Sequence, residues 1–160
     1  KNIYSGIFRD LDEILLPMGI AEENGRLPLK RGPKALQEKG IPYYHLTKKG
    51  ILVGLAINGI DNMSSQLKEF FSEADPKEKE FEKILTKFMT NSPNFTYSIF
   101  QKYVKAFCED KIKELLPFDL SKLNEISDEN LIIQKEILMG FLKFTNQEKK
   151  EATTFLEKIA

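Results

Sequence analysis

Residues 25–50 read GRLPLKRGPKALQEKGIPYYHLTKKG. Here the chain leaves a helical periodicity and later resumes it. Leu27 and Leu29 alternate with Arg26, Pro28 and Lys30, and Tyr44 and Leu46 alternate with Tyr43 and His45, the period of two expected of short half-buried strands. Pro28 and Pro42 each lack a ladder donor, which restricts the strands to an edge or a two-stranded ribbon. The expected element is a β-hairpin with a long basic loop punctuated by Gly and Pro. Arg26, Lys30, Arg31, Lys34, Lys39, Lys48 and Lys49 stand there against the single acid Glu38. Residues 26–49 carry a net charge of plus six, flanked by minus three on each side, within a chain whose formal charge is zero. For an anionic partner, such a local patch matters more than the overall balance.

The rest of the chain reads as helix. Ile3, Ile7, Leu11, Ile14 and Leu15 form one stripe expected to be buried over residues 3–16, ended by Pro17 and Gly19. Its outward face carries Arg9, Asp10, Asp12 and Glu13. Thr47 is the expected N-cap of a helix reaching to about Ser72, with a bend near Gly59. Asp75-Pro76-Lys77-Glu78 is a capping-box start for a helix with Phe81, Ile84, Leu85 and Phe88 on one face. An aromatic stretch from about Phe95 to Leu116, stopped by Pro117, is expected as the next helix. A short helix from Asp119 through Ile126 follows, then helices over 129–144 and 146–159, the last begun by a Thr145/Glu148 capping box.

Composition narrows the classes. An apolar content of 41% with twelve Phe argues for a packed core rather than disorder. Cys108 is the only cysteine, so an intramolecular disulfide and the paired-Cys zinc spacings are excluded, and a reducing, cytoplasmic setting is expected. The longest apolar run, residues 51–57, falls far short of the roughly 20 residues of a membrane span. No membrane partner or secretory signal is expected. The chain opens on Lys1, as a fragment or a processed form would.

Tyr44-His45-Leu46-Thr47-Lys48-Lys49-Gly50 resembles the Y-x-L-T-x-x-G ending of a winged-helix domain, in which the second wing strand finishes at Leu-Thr and a helix follows. Residues 7–21, IFRDLDEILLPMGIA, resemble the recognition helix of that family and its turn into the first wing strand. The resemblance covers residues 3–57, about a third of the chain, without the two helices that precede the recognition helix in the family. It implies a non-enzymatic, DNA-associated transcriptional regulator, with the recognition helix in the major groove and the wing on the adjacent backbone. The acids on the first helix shift the expected contact from the groove to the wing. Expected contacts to duplex DNA are Arg9, Arg26, Lys30, Arg31, Lys34 and Lys39, mainly to phosphate, with Tyr43 or Tyr44 free to stack and the other turned toward the core.

Other constellations carry less. His45 has no ligand-spaced partner and reads as a surface strand histidine, and Cys108 reads as a buried, inert thiol. Gly25, Gly32, Gly40 and Gly50 are too dispersed for a phosphate loop, while Glu78/Glu82 and Glu109/Asp110 read as solvated helix faces. Neither catalytic nor metal-binding residues are expected, nor a cofactor. The expected fold is mostly α with one small β-hairpin: a partial winged-helix-like module over 1–57, then a helical bundle over 58–160, with the boundary between 57 and 76. A homodimer through the C-terminal helices is the expected assembly. The alternative is a protein-interaction or adaptor module without direct DNA contact.

Overall fold

The computed structural model describes residues 3–57, 62–125 and 128–159. It is mostly helical with a single two-stranded antiparallel hairpin. Helix α1 (Ile3–Asp10) runs into a π-helical turn (Leu11–Leu15), followed by β1 (Ala21–Leu27), α2 (Lys34–Lys39), β2 (Ile41–Leu46) and α3 (Lys48–Leu55). Then come α4 (Met63–Ser72), α5 (Pro76–Lys79), α6 (Glu82–Asn91), α7 (Pro93–Cys108), a 3-10 turn (Leu120–Glu125), α8 (Glu129–Lys143) and α9 (Asn146–Ile159). Among the described residues no helix is long and apolar enough to cross a membrane.

The chain divides into two units, Lys1–Leu123 and Asn124–Ala160. The boundary expected between 57 and 76 lies inside the first. The reason is a shared core: Leu52 and Leu55 of α3, Leu67, Phe70 and Phe71 of α4, Leu85 of α6 and Phe100 and Tyr103 of α7 are all buried. Phe118 closes that core from the segment after α7. Its ring lies 4.9 Å from Tyr103, 5.5 Å from Phe100 and 5.6 Å from Phe70, centroid to centroid. Edge-on and offset ring pairs of this kind add about 0.5–1.5 kcal/mol each beyond the area they bury.

Beside the rings sits a carboxylate. Glu78 is 1% exposed, and its two oxygens take three donors from separate parts of the unit. Oε2 accepts from the Asp75 amide at 3.0 Å and from Lys48 Nζ, while Oε1 accepts from the Phe118 amide at 2.8 Å. Lys48 Nζ also donates to the Glu73 carbonyl at 3.1 Å and lies 5.4 Å from the centre of the Phe70 ring. Asp75 accepts in turn from the amides of Lys77 and Glu78, completing the expected capping box. The reading of Glu78 as a solvated side chain is therefore corrected. The capping geometry draws its carboxylate inward, where a burial cost of several kcal/mol is offset by an ammonium and two amides.

Several helices differ from their expected extents. The helix expected over 3–16 becomes π-helical after Asp10, with Leu16 N donating to Leu11 O at 3.0 Å. Its stripe is not buried: Ile7 is 59% exposed, and Ile14 and Leu15 are exposed as well. The helix expected from Thr47 to Ser72 is two helices, α3 and α4, and the bend expected at Gly59 lies outside the described residues. The helix expected from Asp75 breaks between α5 and α6, leaving Ile84 exposed while Leu85 and Met89 are buried.

Helix α7 ends at Cys108, well before Pro117. Asp110 adopts a left-handed φ of 57°, and the Lys111 amide returns to Ala106 O at 2.9 Å, a helix-terminating geometry. Ile112, Leu115 and Phe118 are nevertheless buried, so an irregular segment reproduces the three-residue spacing that reads as helix. Cys108 is exposed at the helix end, which corrects the buried thiol. Lys111 Nζ, 2.7 Å from Glu109, and Lys105, at 3.6 Å, bind that carboxylate. The Lys111 hydrogen bond chiefly holds Glu109 below the usual carboxylate range.

The second unit holds α8 and α9. Asp128 caps α8 by accepting from the Leu131 amide at 2.9 Å, and Glu148 accepts from the Thr145 amide at 2.7 Å at the start of α9. Both starts were legible. None of the α8 side chains is buried.

Removing one partner of a buried ion pair typically costs about 3–5 kcal/mol. Lys48→Met is therefore expected to lower unfolding stability by about that amount in urea titration, whereas Lys48→Met with Glu78→Gln together should cost less than Lys48→Met alone. A double variant less stable than Lys48→Met would exclude the stranded carboxylate as the cause. Phe118→Ala is expected to cost about 3–5 kcal/mol by the same titration, because it empties the centre of the ring cluster.

Candidate nucleic-acid interface

The basic hairpin stands on one junction. Thr47 caps α3 by accepting from the Gly50 amide at 3.0 Å, and its own hydroxyl donates to the Gly19 carbonyl at 2.6 Å. The Thr47 amide reaches Ile20 O at 3.1 Å. A Cβ on Gly50 would stand 1.9 Å from that same Ile20 oxygen, so only glycine lets α3 approach the backbone entering β1. Thr47 and Gly50 thus tie the end of β2, the start of α3 and the chain ahead of β1 at one place. The L-T-x-x-G spacing is the spacing of a capped first turn that must pack backbone to backbone.

Strand pairing then sets the register. Ala21 faces Leu46, Glu22 faces His45 and Leu27 faces Ile41, with a bulge at Asn24 between the Glu23–Tyr44 and Gly25–Tyr43 pairs. The hairpin begins five residues earlier than the alternation from Arg26 suggests, and Leu29 falls outside it. The alternation misses residues 21–25 because Glu22, Glu23 and Asn24 are exposed and leave no apolar signal. Tyr44 is half-buried and Tyr43 exposed, in line with one tyrosine turning toward the core. The Tyr43 ring lies over Gly25, its hydroxyl 3.0 Å from the place a Cβ would occupy. His45 Nε2 sits 3.0 Å from Glu22 across the strands, as a surface pair.

The seven bases of residues 26–49 separate into two groups. Three are engaged: Arg26 forks onto Glu23 at 2.7 and 3.1 Å, Lys48 holds Glu78, and Lys49 donates to the Met18 carbonyl at 2.9 Å beside the Phe107 ring. Lys30, Arg31, Lys34 and Lys39 are exposed, and none makes an ion pair among the described residues. They occupy the connection between the strands, which contains the short helix α2 rather than an open loop. Gln37 closes that segment by donating to the Gly32 carbonyl. Lys34 and Lys39, five positions apart, point more than a right angle apart around α2, so the tip presents charge broadly rather than along one strip.

Arg9 is not part of this group. It sits on α1 with its guanidinium on Asp10 at 3.0 and 3.2 Å, and Asp12 and Glu13 are exposed nearby. Of the six residues expected to meet DNA, four remain as unengaged cations at the tip, and two are held by carboxylates. Among the described residues no cluster of His, Cys, Asp or Glu could hold a metal ion.

No family model, curated protein or solved structure matches this chain.

Thr47→Ala removes a helix cap and a hairpin tie, with an expected stability loss of about 1–2 kcal/mol. Gly50→Ala forces backbone apart and should cost about 3 kcal/mol, read as a lowered melting temperature. If Gly50→Ala melts with the wild type, the close approach of α3 to Ile20 is wrong.

Proposed function

We propose that this chain is a non-enzymatic, DNA-associated regulator that contacts phosphate through the tip of its hairpin, in the manner of a wing. The observation that carries the reading is the division among the bases: Arg26, Lys48 and Lys49 serve the fold, and Lys30, Arg31, Lys34 and Lys39 do not. Four exposed cations held against one local acid, Glu38, create a potential that concentrates polyanions. The resemblance of residues 3–57 to winged-helix regulators supports the same reading. Contact of this kind sets affinity and orientation and carries little sequence information.

The acids of α1 oppose deep entry of that helix into a groove. Asp10, Asp12 and Glu13 would meet phosphates of like sign, and Arg9 is already neutralised by Asp10. Binding therefore rests on the tip. The competing reading is an adaptor whose basic tip meets an acidic protein.

Fluorescence anisotropy with a generic duplex, titrated with salt, tests the proposal. Four phosphate contacts predict a slope of log K against log salt of about −4. A Lys30→Ala, Arg31→Ala, Lys34→Ala variant should bring it to about −1, while Lys150→Ala on α9 leaves it unchanged. No binding of duplex at low salt by the wild type, or a slope indifferent to the triple substitution, overturns the reading.

A further inference from the structure

Helix α8 keeps one narrow polar face, where Glu129, Glu136 and Lys143 repeat every seven positions, and is rich in apolar side chains around the rest of its circumference. Ile133 and Ile137 lie on one face, Leu138 and Leu142 lie more than a right angle away around the helix, and all four are exposed. A helix apolar over most of its circumference is normally covered by neighbours on more than one side. Within its own unit α8 has little cover. Phe141 is half-buried beneath the Lys149 ammonium of α9, 5.9 Å from the ring centre, and no α8 residue is buried. Helix α9 adds Phe155 and Leu156, which are also exposed.

The exposed area is that of an interface. Nine large apolar side chains from α8 through α9 are each between 42% and 62% exposed. At about 200 Å² for a whole side chain of this size they present roughly 900–1,000 Å² in total, spread over both apolar faces of α8 and onto α9, and a stable complex buries about 800 Å² on each partner. The charge on these helices selects the occupant. Residues 129–159 carry five acids and five bases, interleaved along both helices. A strongly acidic or basic partner finds no complement there, and an identical pair of helices meets no net repulsion.

We propose that α8 and α9 pair with α8 and α9 of a second copy of this chain, forming a four-helix interface in which each α8 is covered on both its apolar faces. In such a bundle every helix touches two neighbours, as the two separated faces of α8 require. This surface lies in the second unit and is independent of the cationic tip. Dimerisation would double the number of tips on one particle and raise avidity for a polyanion.

Sedimentation equilibrium of the full chain, without nucleic acid, over micromolar to hundreds-of-micromolar concentrations tests the proposal. The expected mass is twice 18.4 kDa. An Ile137→Glu, Leu138→Glu variant should sediment as a monomer, and Ile7→Glu, on the exposed stripe of α1, should remain a dimer. A second arm does not depend on the charged variant folding: Leu138→Cys, on one of the two covered faces, in a Cys108→Ala background should form a disulfide-linked dimer on mild oxidation. A wild-type monomer at every concentration overturns the proposal, as does a dimer dispersed by Ile7→Glu but not by the α8 substitutions. Because DNA is absent, failure here leaves the phosphate reading untouched, and failure of the salt titration leaves this one untouched.

Discussion

A carboxylate buried among rings needs partners, and Glu78 takes them from Lys48, Asp75 and the backbone of Phe118, three points far apart in sequence. Each partner fixes a different part of the first unit. Lys48 fixes the first turn of α3, and so the end of the hairpin. Asp75 fixes the turn between α4 and α5, and the Phe118 amide fixes the segment that drops the central ring into the core. An unpaired charge in that position would cost several kcal/mol, so these elements are held in relation to one another by more than their apolar surface. Removing water from the site by ring packing strengthens the ion pair, and the ion pair sets where the rings can go.

The hairpin depends on this arrangement at one remove. Lys48 belongs to α3, whose cap Thr47 and close-packed Gly50 hold the backbone of Gly19 and Ile20. Charge in residues 26–49 therefore serves two purposes. Near the junction Lys48 turns inward onto a buried carboxylate and Lys49 binds a surface carbonyl; at the far end the connection between the strands leaves its cations exposed. A count of bases treats them as one patch, whereas the fold spends some on its own stability.

Much of the architecture was legible before any coordinates. The starts at Thr47, Asp75, Asp128 and Thr145 follow from short-range capping chemistry, and each is present with the expected donors. The two-stranded ribbon follows from period-two alternation and from prolines that only an edge tolerates. Helix ends were less legible. Residues 112, 115 and 118 keep a helical spacing in a segment that is not helical, because burial on one side imposes that spacing on any chain passing over a core. At the candidate site, the four tip cations and the two tyrosines could be read from the sequence; the pairing of Arg9 with Asp10 and of Arg26 with Glu23 could not, although both partners are within three positions, because a count of charges does not say which side chains fold onto each other.

By itself, the sequence determined the class of the protein, the hairpin, the helix starts and the concentration of positive charge, because all of these arise from neighbours within a few positions. The tertiary structure alone decided that Glu78 is buried, that Lys48 and Lys49 are engaged by a carboxylate and a carbonyl, that Cys108 is exposed and that the stripes of α1 and α8 lie uncovered. Periodicity says that a face is apolar, but whether it is covered depends on which distant segment arrives there. The same distance rule governs charge: a lysine's solvation is set by the nearest carboxylate in space, which for Lys48 lies thirty positions along the chain.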